Sequence, residues 1–300
     1  MLHILGWKLD QLLNHCLIVT GGPMTDFLMK PKIDFAFKEI MEDKKARTGF
    51  LAAVLGLDPK DIKETRILNS NLRKIHEDDK LGILDVRILM NDNTQIDTEI
   101  QLSELKIWAD RALFYLSKMY TDQIEKGQNY GVLKKCVSIS ILDFILFEKE
   151  PEFYSRFHII EDTRHFIYSD KMEFHVIELP KLPDDLREDS GSLELWAKFI
   201  NAENKEEFDM IAEKDPYIQS AYDQLQMISQ DRQKRLAYEA REKAIRDHNQ
   251  IIFEAEQRGR ELEAASIACN LISLGMDDAT IGNATHLSPE QVKSLRKKFH

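Results

Sequence analysis

Asp85, Glu99 and Gln101 are the residues of this chain whose types and spacing could do chemistry together. They lie in ILDVRILMNDNTQIDTEIQL, residues 83–102, where two runs rich in β-branched and apolar residues flank Asn91-Asp92-Asn93. That pattern predicts a β-hairpin. Side chains alternate along a strand, so Asp85, Arg87 and Leu89 share one face of the first run, and Asp97, Glu99 and Gln101 one face of the second. A three-residue loop pairs Met90 with Thr94 and sets Asp85 directly opposite Glu99. A two-residue loop would set Asp85 against Ile100 and mix polar with apolar faces, which the pattern disfavours. Like charges opposed across a sheet repel. A divalent cation between them would remove the repulsion, and their hard oxygen donors suit Mg²⁺, with Mn²⁺ as its substitute.

The elements that must position these groups follow from periodicity. Ile33, Phe37, Ile40 and Met41 form a helical stripe, and a second apolar helical run covers residues 49–57 and stops at Asp58-Pro59. Residues 62–72 read as an edge strand with a turn. His76-Glu77-Asp78-Asp79 reads as a solvated loop, because four consecutive side chains do not converge on one ion without a special backbone. Beyond the hairpin, Leu105, Trp108, Ala112, Tyr115, Leu116 and Met119 mark a helix from residue 103 or 104 to 126, with Gly127 as its stop. Residues 136–147, CVSISILDFILF, are nearly all apolar and suit a strand buried on both faces. Strands at 156–160 and 173–179 follow, with Ser169-Asp170-Lys171 as a turn. The order predicts an α/β layer architecture with a mixed sheet.

Past Pro183 the composition shifts. Residues 184–215 hold 11 acidic and 4 basic residues, and residues 231–260 hold 8 basic and 6 acidic with few apolar ones. The second stretch reads as a long exposed helix, rich in Ala, Glu, Arg, Lys and Gln and without Pro. The tail, 261–300, reads as a small helical unit. Ser288-Pro289-Glu290-Gln291 is a helix start, and the last helix ends in basic residues. Two readings of this tail stand side by side: a DNA-binding helix-turn-helix, or a helical hairpin for packing or self-association.

The chain carries a net charge of −11, which argues against a protein that coats nucleic acid by bulk electrostatics. Its 3 cysteines, Cys16, Cys136 and Cys269, show neither metal spacing nor a disulfide framework, which fits a reducing cytoplasm. The spacing of the 9 histidines supports no metal site of its own. No apolar run reaches the ~20 residues that span a bilayer, so no membrane partner is expected. Residues 1–29 read as an extension ahead of the domain, with Met24 and Met29 as candidate true starts. A signal peptide fits them poorly, since Asp10, Asn14 and His15 interrupt the apolar positions.

Residues 80–102, with PKIDFAFKEIM before them and RALFYLSKMYTDQI, SILDFILF and FHVIELPKL after, resemble the recombination-promoting nuclease and transposase-like family of the PD-(D/E)XK nuclease superfamily. The resemblance implies a restriction-endonuclease-like mixed central sheet flanked by helices over residues 30–183. A charged helical region (184–260) and a helix-turn-helix-like tail (261–300) then make an all-helical C-terminal part. It also implies Mg²⁺-dependent cleavage of DNA phosphodiester bonds, linked to recombination or transposition. By the family motif, Asp85 and Glu99 would hold the metal, and Gln101 stands where the superfamily commonly has Lys. Asp34 would be the acid of the first helix, with Glu39 behind it. Lys80, Arg87 and Arg111 are candidates for phosphate contacts, each with an ordinary alternative as a salt-bridge or surface residue. A homodimer is one use for the long charged helix. The alternative from another class is a catalytically weak binding module that keeps the fold.

Overall fold

The computed structural model of the protein describes residues 27–69 and 85–298. Lys80, the 76–79 loop and nearly all of the N-terminal extension lie outside the described residues.

The first unit runs to Tyr238 and the second starts at Glu239. In chain order the first unit holds α1 (Asp34–Met41), α2 (Lys44–Leu55), β1 (Thr65–Leu68), β2 (Val86–Met90), β3 (Gln95–Gln101), α3 (Trp108–Thr121), β4 (Cys136–Leu142), β5 (Tyr154–Ile160), β6 (Ile167–Glu178), α4 (Ser192–Asn201), α5 (Lys205–Ala212) and α6 (Pro216–Gln230). A continuous helix α7 (Arg232–Ser273) follows, then α8 (Asp278–Thr285) and α9 (Pro289–Lys298). The strands form one mixed sheet in the order β1-β2-β3-β4-β6-β5. β3, β4 and β6 run parallel, and β1, β2 and β5 run antiparallel to their neighbours.

All seven residues of β4 are buried, as a central strand covered on both faces requires. Helix α3 covers one face: Tyr115, Leu116 and Met119 pack on Cys136, and Trp108 on Leu142 and Val176. Helix α2 lies on the other face, where the Tyr154 hydroxyl donates to the Val54 carbonyl at 3.2 Å. Behind α2 runs a chain of buried rings: Phe37–Phe50 (5.4 Å), Phe50–Trp196 (5.7 Å), Trp196–Phe199 (5.9 Å), Phe199–Phe208 (5.5 Å) and Phe208–Tyr222 (5.4 Å). Such offset and edge contacts add to the area that the rings bury. They draw α4, α5 and α6 into the same core as α1 and α2. The structure therefore does not divide the chain at residue 183.

Several boundaries differ from the sequence pattern. Helix α2 begins five residues before 49, because Asp43 caps it by accepting from the Ala46 amide (2.7 Å). Helix α3 is shorter than 103–126. It starts at Trp108 without a side-chain cap and ends at Thr121. There Gln123 diverts the chain toward β4, donating to the Lys134 carbonyl (3.1 Å) and accepting from its amide (2.8 Å). The strand expected over 136–147 ends at Leu142, and Glu178 accepts from the amides of Leu146 (2.6 Å) and Phe147 (3.0 Å). Ser169-Asp170-Lys171 is no turn. It lies inside the 12-residue β6, where the register against β5 shifts as at a bulge. The reversal falls earlier, at His165, whose φ is +60°.

One packing site yields an expectation opposite to helix propensity. Gly49 is inside α2, where Ala would ordinarily be favoured by about 1 kcal/mol. A Cβ there would stand 2.2 Å from the Tyr217 Cβ of α6. Gly49→Ala should therefore destabilise the fold by roughly 1–3 kcal/mol, the range for over-packed cores. A urea midpoint at or above the wild-type value would sink this account of the α2–α6 contact.

Candidate functional site

The hairpin register is the expected one. Val86 pairs with Thr98, Arg87 with Asp97, Ile88 with Ile96 and Leu89 with Gln95. The Asn93 amide donates to the Met90 carbonyl (3.0 Å), and Asn93 takes the turn with φ +66°. Asn tolerates that region because its short polar side chain bonds locally. Asp92 braces the turn, accepting from the Thr94 amide and hydroxyl, both at 2.9 Å.

The next pair in this register would be Asp85 and Glu99, and here the ladder opens. Asp85 stands one residue before β2, and its Oδ2 accepts from the Ile100 amide at 3.2 Å. Its carboxylate thus faces β3 in place of a further strand partner. On β3, parallel pairing sets Asp97 beside Ser138, Glu99 beside Ser140 and Gln101 beside Leu142. These side chains share the face beneath α3.

Burial shapes their electrostatics. Asp97 is 3% and Glu99 5% exposed. Burial, with the nearby Glu99 and Asp85 charges, holds the Asp97 carboxyl well above the usual carboxylate range. Burial raises Glu99 to about 7, with Asp85 adding to the rise and Arg111 opposing it. Arg111 Nε lies 3.5 Å from Glu99 Oε2. Its guanidinium also lies over the rings of Trp108 (5.7 Å) and Tyr115 (4.9 Å), so α3 holds it in place. Glu99 Oε1 and Asp97 Oδ1 are buried without a hydrogen-bond partner.

The remaining sequence candidates divide. The Gln101 amide donates to the Ser103 carbonyl at 3.0 Å, which leaves its carbonyl oxygen as the end able to accept. Arg87 donates to Gln95 Oε1 at 2.6 Å, an ordinary structural use. Asp34 occupies the first position of α1, and its Oδ1 accepts from the Phe35 amide (2.9 Å). The start of α1 reaches the same end of the sheet. Lys32 lies 3.4 Å from Asp143, whose amide donates to the Gln101 carbonyl at 3.0 Å. Sequence reasoning missed Asp97, Lys32 and Asp143 as members of this neighbourhood. The face shared by residues 97, 99 and 101 was a signal for the first. The other two depend on the parallel β3–β4 pairing.

The donor set fits a divalent cation. Glu99 offers an unpartnered buried oxygen near the Asp85 carboxylate, which sits on the adjacent Ile100 amide, and hard carboxylate oxygens suit Mg²⁺. Among the described residues no group of three or more His, Cys, Asp or Glu stands ready to hold a metal alone. Two carboxylates suffice for Mg²⁺ that keeps water and substrate phosphate in its shell.

A mixed six-strand sheet with helices on both faces, and carboxylates where its central hairpin opens, is a PD-(D/E)XK nuclease fold. The family model of the PD-(D/E)XK nuclease family transposases matches residues 31–255, and the chain belongs to that family. No curated protein and no solved structure matched it. The family is a nuclease family whose substrate is DNA, and PD-(D/E)XK nucleases generally use divalent metals. Among the described residues, no helix is long and apolar enough to cross a membrane.

Proposed function

We propose that this protein is a Mg²⁺-dependent DNA endonuclease that hydrolyses phosphodiester bonds in recombination or transposition. The observation that carries this reading is the Glu99 carboxylate, buried with Oε1 unpartnered, beside an Asp85 carboxylate that is held on the Ile100 amide and is near enough to raise Glu99. A buried carboxylate oxygen without a hydrogen bond is destabilising, so Glu99 Oε1, which the Arg111 contact at Oε2 leaves unsatisfied, points to a partner that arrives from outside. Asp85 and Glu99 would hold the cation. When bound, it would lower the pKa of a water molecule and polarise a phosphate oxygen.

The chain's own residues supply the rest. Asp85 is oriented by the Ile100 amide and Glu99 by the rigid centre of β3. Gln101, its amide engaged by Ser103, presents a carbonyl oxygen that can accept from the attacking water. Arg111, held over Trp108 and Tyr115, can turn from Glu99 toward a phosphate once the carboxylate is otherwise neutralised. That cation would offset the charge that Gln101 lacks.

A second reading, a catalytically weak module of the same fold, draws on the same contacts. Arg111 already neutralises Glu99, and Gln101 is turned to the backbone. Incubating supercoiled plasmid with the purified chain separates the two. The nuclease reading expects nicking with Mg²⁺ or Mn²⁺, none with EDTA, and a fall of about 10³-fold or more in Asp85→Ala. Cleavage that survives in Asp85→Ala, or none with any of several metals, would refute it.

A further inference from the structure

We infer that the second unit is a helix-turn-helix module that docks α9 in the major groove of duplex DNA and selects where the chain acts. The unit has a core of its own: Ala268, Ile272, Ile281 and Val292 are buried, with Leu271, Leu287 and Leu295 packed against them. These residues come from the end of α7, from α8, from the turn and from α9. The turn between α8 and α9 is the three residues His286, Leu287 and Ser288.

Each position in this turn has a physical reason. His286 ends α8 in the left-handed region (φ 59°, ψ 17°), the place where a helix-turn-helix often carries Gly. Four residues earlier, a Cβ on Gly282 would stand 3.3 Å from the Leu287 carbonyl oxygen, so a small residue lets the turn fold back on α8. Thr285 is buried, donates to the Ile281 carbonyl (2.7 Å) and accepts from the Leu287 amide (3.4 Å). Ser288 and Gln291 form a reciprocal capping box at the start of α9, at 2.8 and 3.3 Å. Arg296 braces α9 on α8 through Asp278 (2.8 Å) and the Met276 carbonyl (2.6 Å). Both ends of α9 are thus fixed relative to α8, as a recognition helix requires.

The outward face of α9 then chooses the partner. Val292 and Leu295 turn inward, while Glu290, Lys293, Ser294, Lys297 and Lys298 are exposed. That face has no large apolar side chain, which a helix packing on another protein would need. It is basic: Lys293, Lys297 and Lys298 outweigh Glu290, in a chain whose net charge is −11. Lys pairs with phosphate and guanine, Glu with cytosine, and Ser with either kind of base edge. A short, polar, basic helix presented by a rigid turn is therefore suited to duplex DNA.

The inference does not depend on cleavage, so it is tested without it. Full-length Asp85→Ala protein in EDTA would be used to select from a randomised duplex DNA library. We expect enrichment of one short sequence. A further Lys293→Glu/Lys297→Glu change, with circular dichroism and melting as in its parent, should bind the enriched duplex about tenfold or more weakly, with a shallower salt dependence. A library that yields no preferred sequence would overturn the inference. So would a charge-reversed protein that selects the same sequence with the same affinity and salt slope. Neither result bears on whether plasmid is cut.

Discussion

Replacing Glu99 with Gln should end metal-dependent cleavage and, at pH 8 without divalent cation, make the fold more stable. The two effects share one cause. Burial and Asp85 raise the Glu99 carboxyl from 4.5 to about 7, so the folded chain resists its ionisation. Below about pH 4.5 the group is protonated in both folded and unfolded chains, and no penalty exists. Between that pH and about 7 the unfolded chain ionises first, and stability falls as pH rises. Above 7 the folded carboxylate is ionised against its surroundings, and the whole penalty stands. At 1.36 kcal/mol per pH unit the shift corresponds to about 3 kcal/mol. That shift is already net of the Arg111 pair, and Gln stays neutral as the protonated acid does, so the gain should be about 3 kcal/mol at pH 8 and near zero at pH 4. Mg²⁺ should raise the melting temperature of the wild type at pH 8 and leave Glu99→Gln unmoved. Cleavage should drop by about 10³-fold or more if, as proposed, Glu99 is one of the two carboxylates that hold the metal. A variant less stable than wild type at pH 8 would mark Glu99 as a structural partner of Arg111 and not a metal ligand.

What could be read from the sequence was local. The hairpin register was legible because turn length and side-chain alternation together leave one parity, and the pairs from Val86–Thr98 to Leu89–Gln95 follow it. The start of α9 was legible because Ser288 and Gln291 satisfy each other's backbone amides within one turn. Long-range features were not. Asp97 could be placed on the face of Glu99 and Gln101, but its burial could not be read, because it depends on β4 pairing some forty residues later. Lys32 and Asp143 meet only because the chain before α1 returns to the ends of β3 and β4. The acidic stretch after Pro183 read as a separate region, because its charges outnumber the few rings that seat it. Yet Trp196, Phe199 and Phe208 join it to Phe50. Composition counts residues equally, whereas packing weights them by the area they bury.

The opposite face of the sheet holds a second buried carboxylate, and its expected behaviour is the reverse of that of Glu99. Glu173 on β6 has no exposed surface. Its pairing with Val137 turns it away from α3. His175 Nε2 lies 2.9 Å from its Oε1, and Arg156 and Lys135 close on it as ion pairs. The other ring nitrogen of His175 meets the Tyr154 hydroxyl at 2.7 Å, which ties this group to α2 through Val54. Burial alone would raise the Glu173 carboxyl. Hydrogen bonds from His175, Arg156 and Lys135 outweigh it and hold the group well below the usual carboxylate range. Its contribution to stability is therefore present above about pH 4.5 and lost as pH falls below it, where the unfolded chain takes up a proton that the folded carboxylate resists. Glu173→Ala leaves clustered cations without their anion and should cost about 3–5 kcal/mol at pH 7, a loss that shrinks as pH falls below 4.5. Glu173→Gln keeps the shape and some of the hydrogen bonds and should fall between. Urea unfolding at pH 7 and pH 4 reads both, and neither variant should respond differently from wild type to added Mg²⁺. A Glu173→Ala protein as stable as wild type at pH 7 would contradict this assignment. The two carboxylates thus separate by their cations: Glu173 has Lys135 and Arg156 closed on its two oxygens, while Glu99 has Arg111 at 3.5 Å on Oε2 and neither an ion pair nor a hydrogen bond on Oε1 among the described residues.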